Sequence, residues 1–231
     1  MRHLFRWLLW ALALLLAAFV LLQGWYAAHI WWWRDHPPRE TAFMALRLAE
    51  LHERRPDARL SYQWVPYERI SLELKRAMIA AEDARFVDHE GFDWDGIEQA
   101  LDKNYRRGHI VAGGSTISQQ LAKNLFLTAQ KSYWRKGEEA LITVMLEAIL
   151  DKRRILELYL NVIEWGSGVF GCEAAARHYF GVGAGALDAV QAAQLAAMAP
   201  NPRYYERHPE AKGLSRKIGI VLARMPAAEL P

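Results

Sequence analysis

The sequence predicts a mainly α protein with a single N-terminal membrane span, and three observations carry that reading. Residues 7 to 22, Trp7 through Leu22, are uninterrupted apolar residues. Downstream, apolar residues recur at helical spacing in segment after segment. No run of alternating polar and apolar residues is long enough to argue for a sheet.

The apolar character of the first segment continues, broken by Gln23, Gly24 and His29, to Trp31-Trp32-Trp33. About 20 residues of helix cross roughly 30 Å of hydrocarbon, so the segment is long enough. Arg2 and Arg6 precede it and favour a cytoplasmic N-terminus, and the three tryptophans suit the far interface. The rival reading is a cleaved signal peptide, with Ala27-Ala28 as a weak cleavage option. Its apolar core is usually only about 7–15 residues, so a retained anchor is the better reading. The chain divides into a cytoplasmic tip and anchor (1–33), a linker (34–44) and one domain (45–231).

Pro37-Pro38, Pro56 and Pro66 punctuate residues 34 to 68, which read as a connecting segment. Leu72, Leu74, Ala77, Met78 and Ala81 predict a helix over 71–85. Ile97, Ala100, Leu101 and Tyr105 predict one over 93–106. Residues 108 to 114 are glycine-rich, and a mobile loop is expected from about Lys103 to Gly114. Thr116 with Gln119 fits a capping box that starts a helix running to Leu127. Residues 132 to 163 form a long helical stretch, as one helix or two meeting near Asp151. Gly166, Gly168 and Gly171 make a loop. Alanine-rich helices follow over 172–180 and 188–199, and a closing helix over 213–224.

The net charge of +3 is no argument for nucleic acid, since Arg2, Arg6, Arg34 and Arg39 around the anchor supply much of it and no long basic block exists. The single Cys172 excludes an intrachain disulfide framework and a Cys-rich zinc site, and reads as a small buried residue. Walker and dinucleotide glycine signatures are absent.

Two segments carry the chemistry. In the first, Glu82 ends a helix with an apolar flank, where partial burial raises a carboxylate's pKa and makes it a useful proton acceptor. Asp83, Arg85 and His89 stand ready to tune or orient it. A metal reading for His89 with Asp83 or Asp93 is weaker, because no second His lies at ligand spacing. In the second, Thr116, Gln119, Gln120 and Lys123 share one helical face behind a glycine turn. The free N–H groups of that helix's first turn suit a phosphate. Arg135 and Lys136 lie four and three residues before Glu139, a spacing that by itself reads as surface ion pairing.

Taken together, these segments resemble the monofunctional biosynthetic peptidoglycan glycosyltransferases, relatives of the transglycosylase module of class A penicillin-binding proteins. Glu82-Asp83 with Phe86 and His89 to Gly91 matches E-D-x-x-F-x-x-H-x-G. Residues Gly113 to Asn124 match G-G-S-T-I-x-Q-Q-L-x-K-N. Arg135, Lys136, Glu139 and Ala140 match R-K-x-x-E-A, and Arg154 to Asn161 matches a fourth motif that Gly166, Gly168 and Gly171 continue. Residues 174–180 and 195–202 resemble a fifth region. Gln191 stands where the family commonly has Glu.

The resemblance implies a lysozyme-like helical domain with a small membrane-proximal lobe. It implies polymerisation of lipid II, with Glu82 as general base and Glu139 as a second catalytic carboxylate that orients cations or helps bind a metal. Lys123, Arg135 and Lys136 would neutralise the departing pyrophosphate. Ser115, Thr116, Gln119, Gln120 and Asn124 would hydrogen-bond the donor. Asp83, Phe86, His89, Gly114 and Asn161 fall in the matched motifs as further substrate-binding positions. No cofactor is obligatory; a divalent cation (Mg2+ or Mn2+) at the donor pyrophosphate is compatible. The implied partners are lipid II, the growing glycan strand, the lipid bilayer and proteins of cell division or cell-wall synthesis, without nucleic acid. The implied location is the bacterial inner membrane, with the catalytic domain periplasmic. Phe126, Leu127, Tyr133 and Trp134 suit either the membrane interface or core packing. The rival functions are a lysozyme-type lytic enzyme and a non-catalytic membrane scaffold.

Overall fold

The structure, a computed structural model, describes residues 2–109, 113–128 and 132–231. Helix α1 (Arg2–Trp33) has two halves of different character. Up to Leu22 its large apolar side chains face outward, among them Leu4, Trp7, Leu14 and Leu21. By length and composition this helix can cross a membrane. From Gln23 onward the same helix belongs to the protein. Tyr26, Ile30 and Trp33 are buried. Tyr26 and Trp33 bracket Phe126, with ring centroids 4.9 and 5.2 Å from it. Gln23 Nε2 donates to Glu138 Oε1 at 3.0 Å. The three tryptophans therefore divide: Trp31 and Trp32 are exposed, whereas Trp33 is a core residue and not an interface anchor. Arg154 secures the helix end by donating to the carbonyls of Trp33 and His36, both at 2.8 Å.

Residues 34–68, read from sequence as connecting chain, contain helix α2 (Ala42–His52), capped by Thr41, whose side chain accepts from Met44 N. The prolines around it dominate the local pattern and hide its Phe43-Met44 face, which is buried. Helix α3 (Leu72–Glu82) starts at the Ser71 cap and buries Leu74, Ala77, Met78, Ile79 and Ala80. Helix α4 (Trp94–Arg107) lies on the surface, started by Asp93 accepting from Gly96 N at 2.9 Å and ended by Gly108 in the left-handed region at φ 68°. Residues 103–107 are thus helical, contrary to the expected loop, and residues 110–112 of that loop lie outside the described residues. Helix α5 (Ile117–Phe126) follows. Helices α6 (Tyr133–Ile149) and α7 (Lys152–Val162) meet at Asp151, which caps α7 through Arg154 N.

A small sheet, not expected from the sequence, joins β1 (Ser61–Tyr62), β2 (Glu164–Gly166) and β3 (Val169–Phe170) in the order β1-β3-β2. β1 pairs parallel to β3, with Ser61 opposite Val169, and β2 pairs antiparallel to it. Strands of two or three residues carry no readable alternation. Gly171 follows at φ +79°, where a Cβ would lie 2.6 Å from the carbonyl oxygen of Asn161, so only glycine fits. Helices α8 (Cys172–Phe180), α9 (Ala189–Met198), α10 (Pro202–Arg207) and α11 (Leu214–Arg224) complete the chain. The alanines of α3 and α9 let these two helices approach closely, and α11 packs across both. Cys172 is buried, as expected.

Replacing the buried indole in Trp33→Ala should cost about 3 kcal/mol and lower the melting temperature by roughly 6–12 °C. Trp31→Ala, which removes an exposed ring, should stay within about 0.5 kcal/mol of the parent. Thermal melting in detergent measures both.

Candidate active site

The end of α3 presents the half-buried Glu82 to neighbouring cavities and the next residue, Asp83, to the interior. Glu82 Oε2 accepts from Gln120 Nε2 at 2.6 Å. Burial raises the Glu82 pKa above the ordinary carboxylate value; the Gln120 bond, Lys123 and Lys217 pull it back, and Asp83 adds to the rise. Asp83 is buried, and both its oxygens are engaged. Oδ1 pairs with His89 Nε2 at 2.9 Å, and Oδ2 accepts from Ile117 N at 3.0 Å. A carboxylate at the start of α5 also faces the positive end of that helix dipole. Phe86 is fully buried, with Lys152 Nζ 4.7 Å from its ring centre. Phe86 and His89 therefore pack behind the end of α3, and Asp83 ties that end to the start of α5. Arg85 turns away to Asp93 and Asp95, so the expected tuning of Glu82 by Arg85 is not met.

The face of Thr116, Gln119, Gln120 and Lys123 splits in two. Thr116 and Gln119 are buried and spent on the capping box. Thr116 N donates to Gln119 Oε1 at 3.1 Å, Gln119 N donates to Thr116 Oγ1 at 3.2 Å, and the Thr116 hydroxyl donates to Gly91 O at 2.7 Å. Gln120 and Lys123 face one cavity, and Thr116 borders another beside Glu82. Asn124 is buried too, its Nδ2 donating to Gln120 O at 2.7 Å. Gly114 packs against Ile97 of α4, where a Cβ would meet that side chain at 3.1 Å. Ser115 is exposed, with its Oγ 3.5 Å from Lys136 Nζ. Asn161, expected near substrate, has no exposed surface. It accepts from Val65 N and donates to Val65 O, both at 2.9 Å, and so clamps the 65–67 segment to α7.

Glu139 is buried, and its two oxygens receive Arg135 Nη1, at 2.6 Å, and Lys136 Nζ. Lys123 joins this group to Glu82. Burial lowers its pKa; the carboxylates of Glu139 and Glu82 oppose that, and Arg135 and Lys136 add to it. Lys123 is thus coupled to Glu82 on one side and to Glu139, Arg135 and Lys136 on the other, although it lines a different cavity from Glu82. Among the described residues no three His, Cys, Asp or Glu side chains cluster as metal ligands. Glu139, with both oxygens engaged by Arg135 and Lys136, is placed to orient those cations.

Glu82 borders two cavities. One, of about 250 Å3, is lined by Asp83, Lys103, Gly114, Ser115, Thr116 and Arg224 among others. The second, of about 200 Å3, lies against α9 and α11 and includes Ala197, Pro200, Lys217 and Arg224. A third, of about 230 Å3, contains Gln120, Lys123 and Asn124. A larger cavity, about 660 Å3, lies between α2 and residues 56–62 and holds none of the motif residues. Lys217 and Arg224 escaped the sequence reading. Their signal was the seven-residue spacing on α11, which places both on one helical face. Lys217 Nζ donates to Tyr205 OH at 2.9 Å. Gln191 completes a capping box with Asp188, bonding in both directions at 2.8 and 3.1 Å, so the departure from Glu leaves the start of α9 satisfied.

Residues 49–226 match the transglycosylase family model. The chain belongs to the transglycosylase family. It is similar to proteins named biosynthetic peptidoglycan transglycosylase from three bacteria. The protein of Chromobacterium violaceum is 64% identical over 220 residues, covering 95% of this chain and 96% of the relative. That of Dechloromonas aromatica is 62% identical over the full length of both chains. The protein of Methylobacillus flagellatus is 62% identical over 220 residues, with 95% and 96% covered. Family membership accords with the mainly α architecture around Glu82.

Asn161→Ala orphans buried groups of Val65 and should cost about 3 kcal/mol, a loss of stability and not of substrate affinity. Thermal melting beside the KM of the folded protein distinguishes the two.

Proposed function

We infer that this chain is a peptidoglycan glycosyltransferase that polymerises lipid II, a disaccharide-pentapeptide carried on undecaprenyl pyrophosphate. The observation that carries the reading is the shared environment of Glu82 and Lys123, with Lys123 also in the field of Arg135, Lys136 and Glu139. In the proposed reaction Glu82 takes the proton of the acceptor's 4-hydroxyl. That oxygen bonds to C1 of the donor sugar as the bond from C1 to the pyrophosphate oxygen breaks, its electron pair leaving with the phosphate. Attack from the opposite face inverts the centre and makes the β-1,4 link. The leaving group is already acidic, so it needs charge neutralisation more than protonation. Preorganised cations supply that at no reorganisation cost. Glu139 holds Arg135 and Lys136 in place.

The cation set favours transfer over lysozyme-type cleavage, because a neutral glycan leaving group would give Lys123, Arg135 and Lys136 nothing to bind. A silent scaffold would have no use for a partly buried carboxylate lining two cavities.

The anchor gives the reaction its place. We read α1 as a single-pass anchor in the bacterial inner membrane, with its N-terminus cytoplasmic and the domain on the periplasmic side. Leu4 to Leu22 face outward over a length near the hydrocarbon thickness. Gln23, just beyond them, bonds Glu138. Tyr133 and Trp134, in the first turn of α6, are exposed at 100% and 79%, which suits contact with lipid headgroups. Arg135 and Lys136 follow them directly. They would then sit at the height where a lipid's pyrophosphate emerges from the bilayer.

Detergent-solubilised protein should convert lipid II into long glycan strands, and Glu82→Gln should reduce strand formation by at least about a hundredfold while the fold survives. Strands formed at the parent rate would end the reading. Lys123→Ala should lose at least about tenfold in donor use with a small change in melting temperature. Because a base must be ionised and burial raises the Glu82 pKa, turnover should fall as pH drops through that raised value. A pH–rate profile on lipid II reads this directly.

A further inference from the structure

Gln120 is the only hydrogen-bond donor recorded on the Glu82 carboxylate among the described residues, and Tyr159 helps to orient its amide. We propose that Tyr159 is a positioning residue for Glu82, acting through Gln120: its phenol donates to Gln120 Oε1 at 3.0 Å and thereby turns the amide's NH2 toward Glu82 Oε2 at 2.6 Å. The proposal rests on Glu82 being the base.

The two ends of a glutamine amide are nearly the same shape but opposite in polarity. Facing a carboxylate, the NH2 end attracts and the oxygen end repels. The ionised Glu82 already favours the NH2 end, and the Tyr159 hydroxyl reinforces that orientation from the other side. With the amide reversed, the phenol would face NH2 and its own proton would lack an acceptor. Tyr159 is fully buried, so such an orphaned donor would be costly. Burial also holds the phenol pKa well above its ordinary value, so Tyr159 stays protonated and remains a donor throughout the working range. The chain of two hydrogen bonds crosses from α7 to α5 to the end of α3. It connects the fourth motif to the first.

Two effects on Glu82 follow. The Gln120 bond favours the ionised carboxylate and so opposes the rise that burial imposes. It also fixes which oxygen is occupied, leaving the other to meet the incoming hydroxyl. The charged groups around Glu82 are Asp83 on α3, Lys123 on α5, Lys217 and Arg224 on α11, and Lys103 of α4 on the neighbouring cavity. A change confined to Tyr159 leaves all of these in place.

Tyr159→Phe keeps the ring and removes only the hydroxyl. The acidic limb of kcat/KM should move to higher pH by about one unit, which is about tenfold in rate below the limb. KM for lipid II should stay unchanged. In a Gln120→Met background, Tyr159→Phe should add nothing, because the chain is already cut. A limb that stays where it was, or an equal effect of Tyr159→Phe in both backgrounds, overturns the proposal. If Tyr159→Phe melts too low to assay, Gln120→Met alone must show the same displaced limb, and an unmoved limb there is equally fatal. Glu82→Gln is run alongside: if it still makes strands, the assignment of the base has failed and not the relay alone.

Discussion

The carboxylate of Asp83 is grasped from two sides, by the His89 ring and by the first backbone N–H of α5. That single side chain sets the end of α3 against the start of α5. Everything the cleft does depends on this registration, because α3 delivers Glu82 while α5 delivers Gln120 and Lys123 one and two turns further along. The pairing is buried, so water does not compete for it. Thr116 strengthens the same junction by capping α5 and by holding Gly91 O. The acidic pair at 82–83 thus divides its labour by direction: one carboxylate looks out and the other looks in.

A second layer of support lies behind the cations. Glu139 is enclosed and holds Arg135 and Lys136 from its own helix, so their charge is delivered as a fixed unit. The same helix carries Glu138, which is tied to Gln23 of α1. One turn of α6 therefore links α1 to the cation cluster. The end of α1 is part of the protein's packing: Tyr26 and Trp33 lie against Phe126, and Arg154 fastens the helix end. The orientation of α1 relative to the cation cluster is thereby fixed.

Much of this was legible in the sequence. The helices from α3 to α9, and α11, follow apolar spacing and local signals, whereas α10 starts at the proline expected to stop a helix; the Thr116–Gln119 box was readable because both partners are local. Glu82 and Lys123 stood out by type and spacing, whereas Arg135, Lys136 and Glu139 read by spacing alone as surface ion pairing and gain weight only from their company with the other motifs. What the sequence could not show is how these residues are held. Asp83, His89, Thr116, Gln119, Asn124 and Asn161 all make hydrogen bonds within the protein, and Phe86 is fully buried. Helix α2 was hidden by flanking prolines, and the sheet by strands of two or three residues.

Taken alone, the order of residues determined the helical class, the apolar span and the chemical inventory, since these follow from periodicity, length and side-chain type within one stretch of chain. Only the tertiary structure decided which of those groups face the cleft. Tyr159 reads as one more apolar position of α7, and Lys217 as one more surface cation, until the fold places them beside Gln120 and Glu82. The reason is physical: burial, hydrogen-bond direction and charge coupling are properties of neighbours in space. Here those neighbours are some 40 to 135 residues apart along the chain.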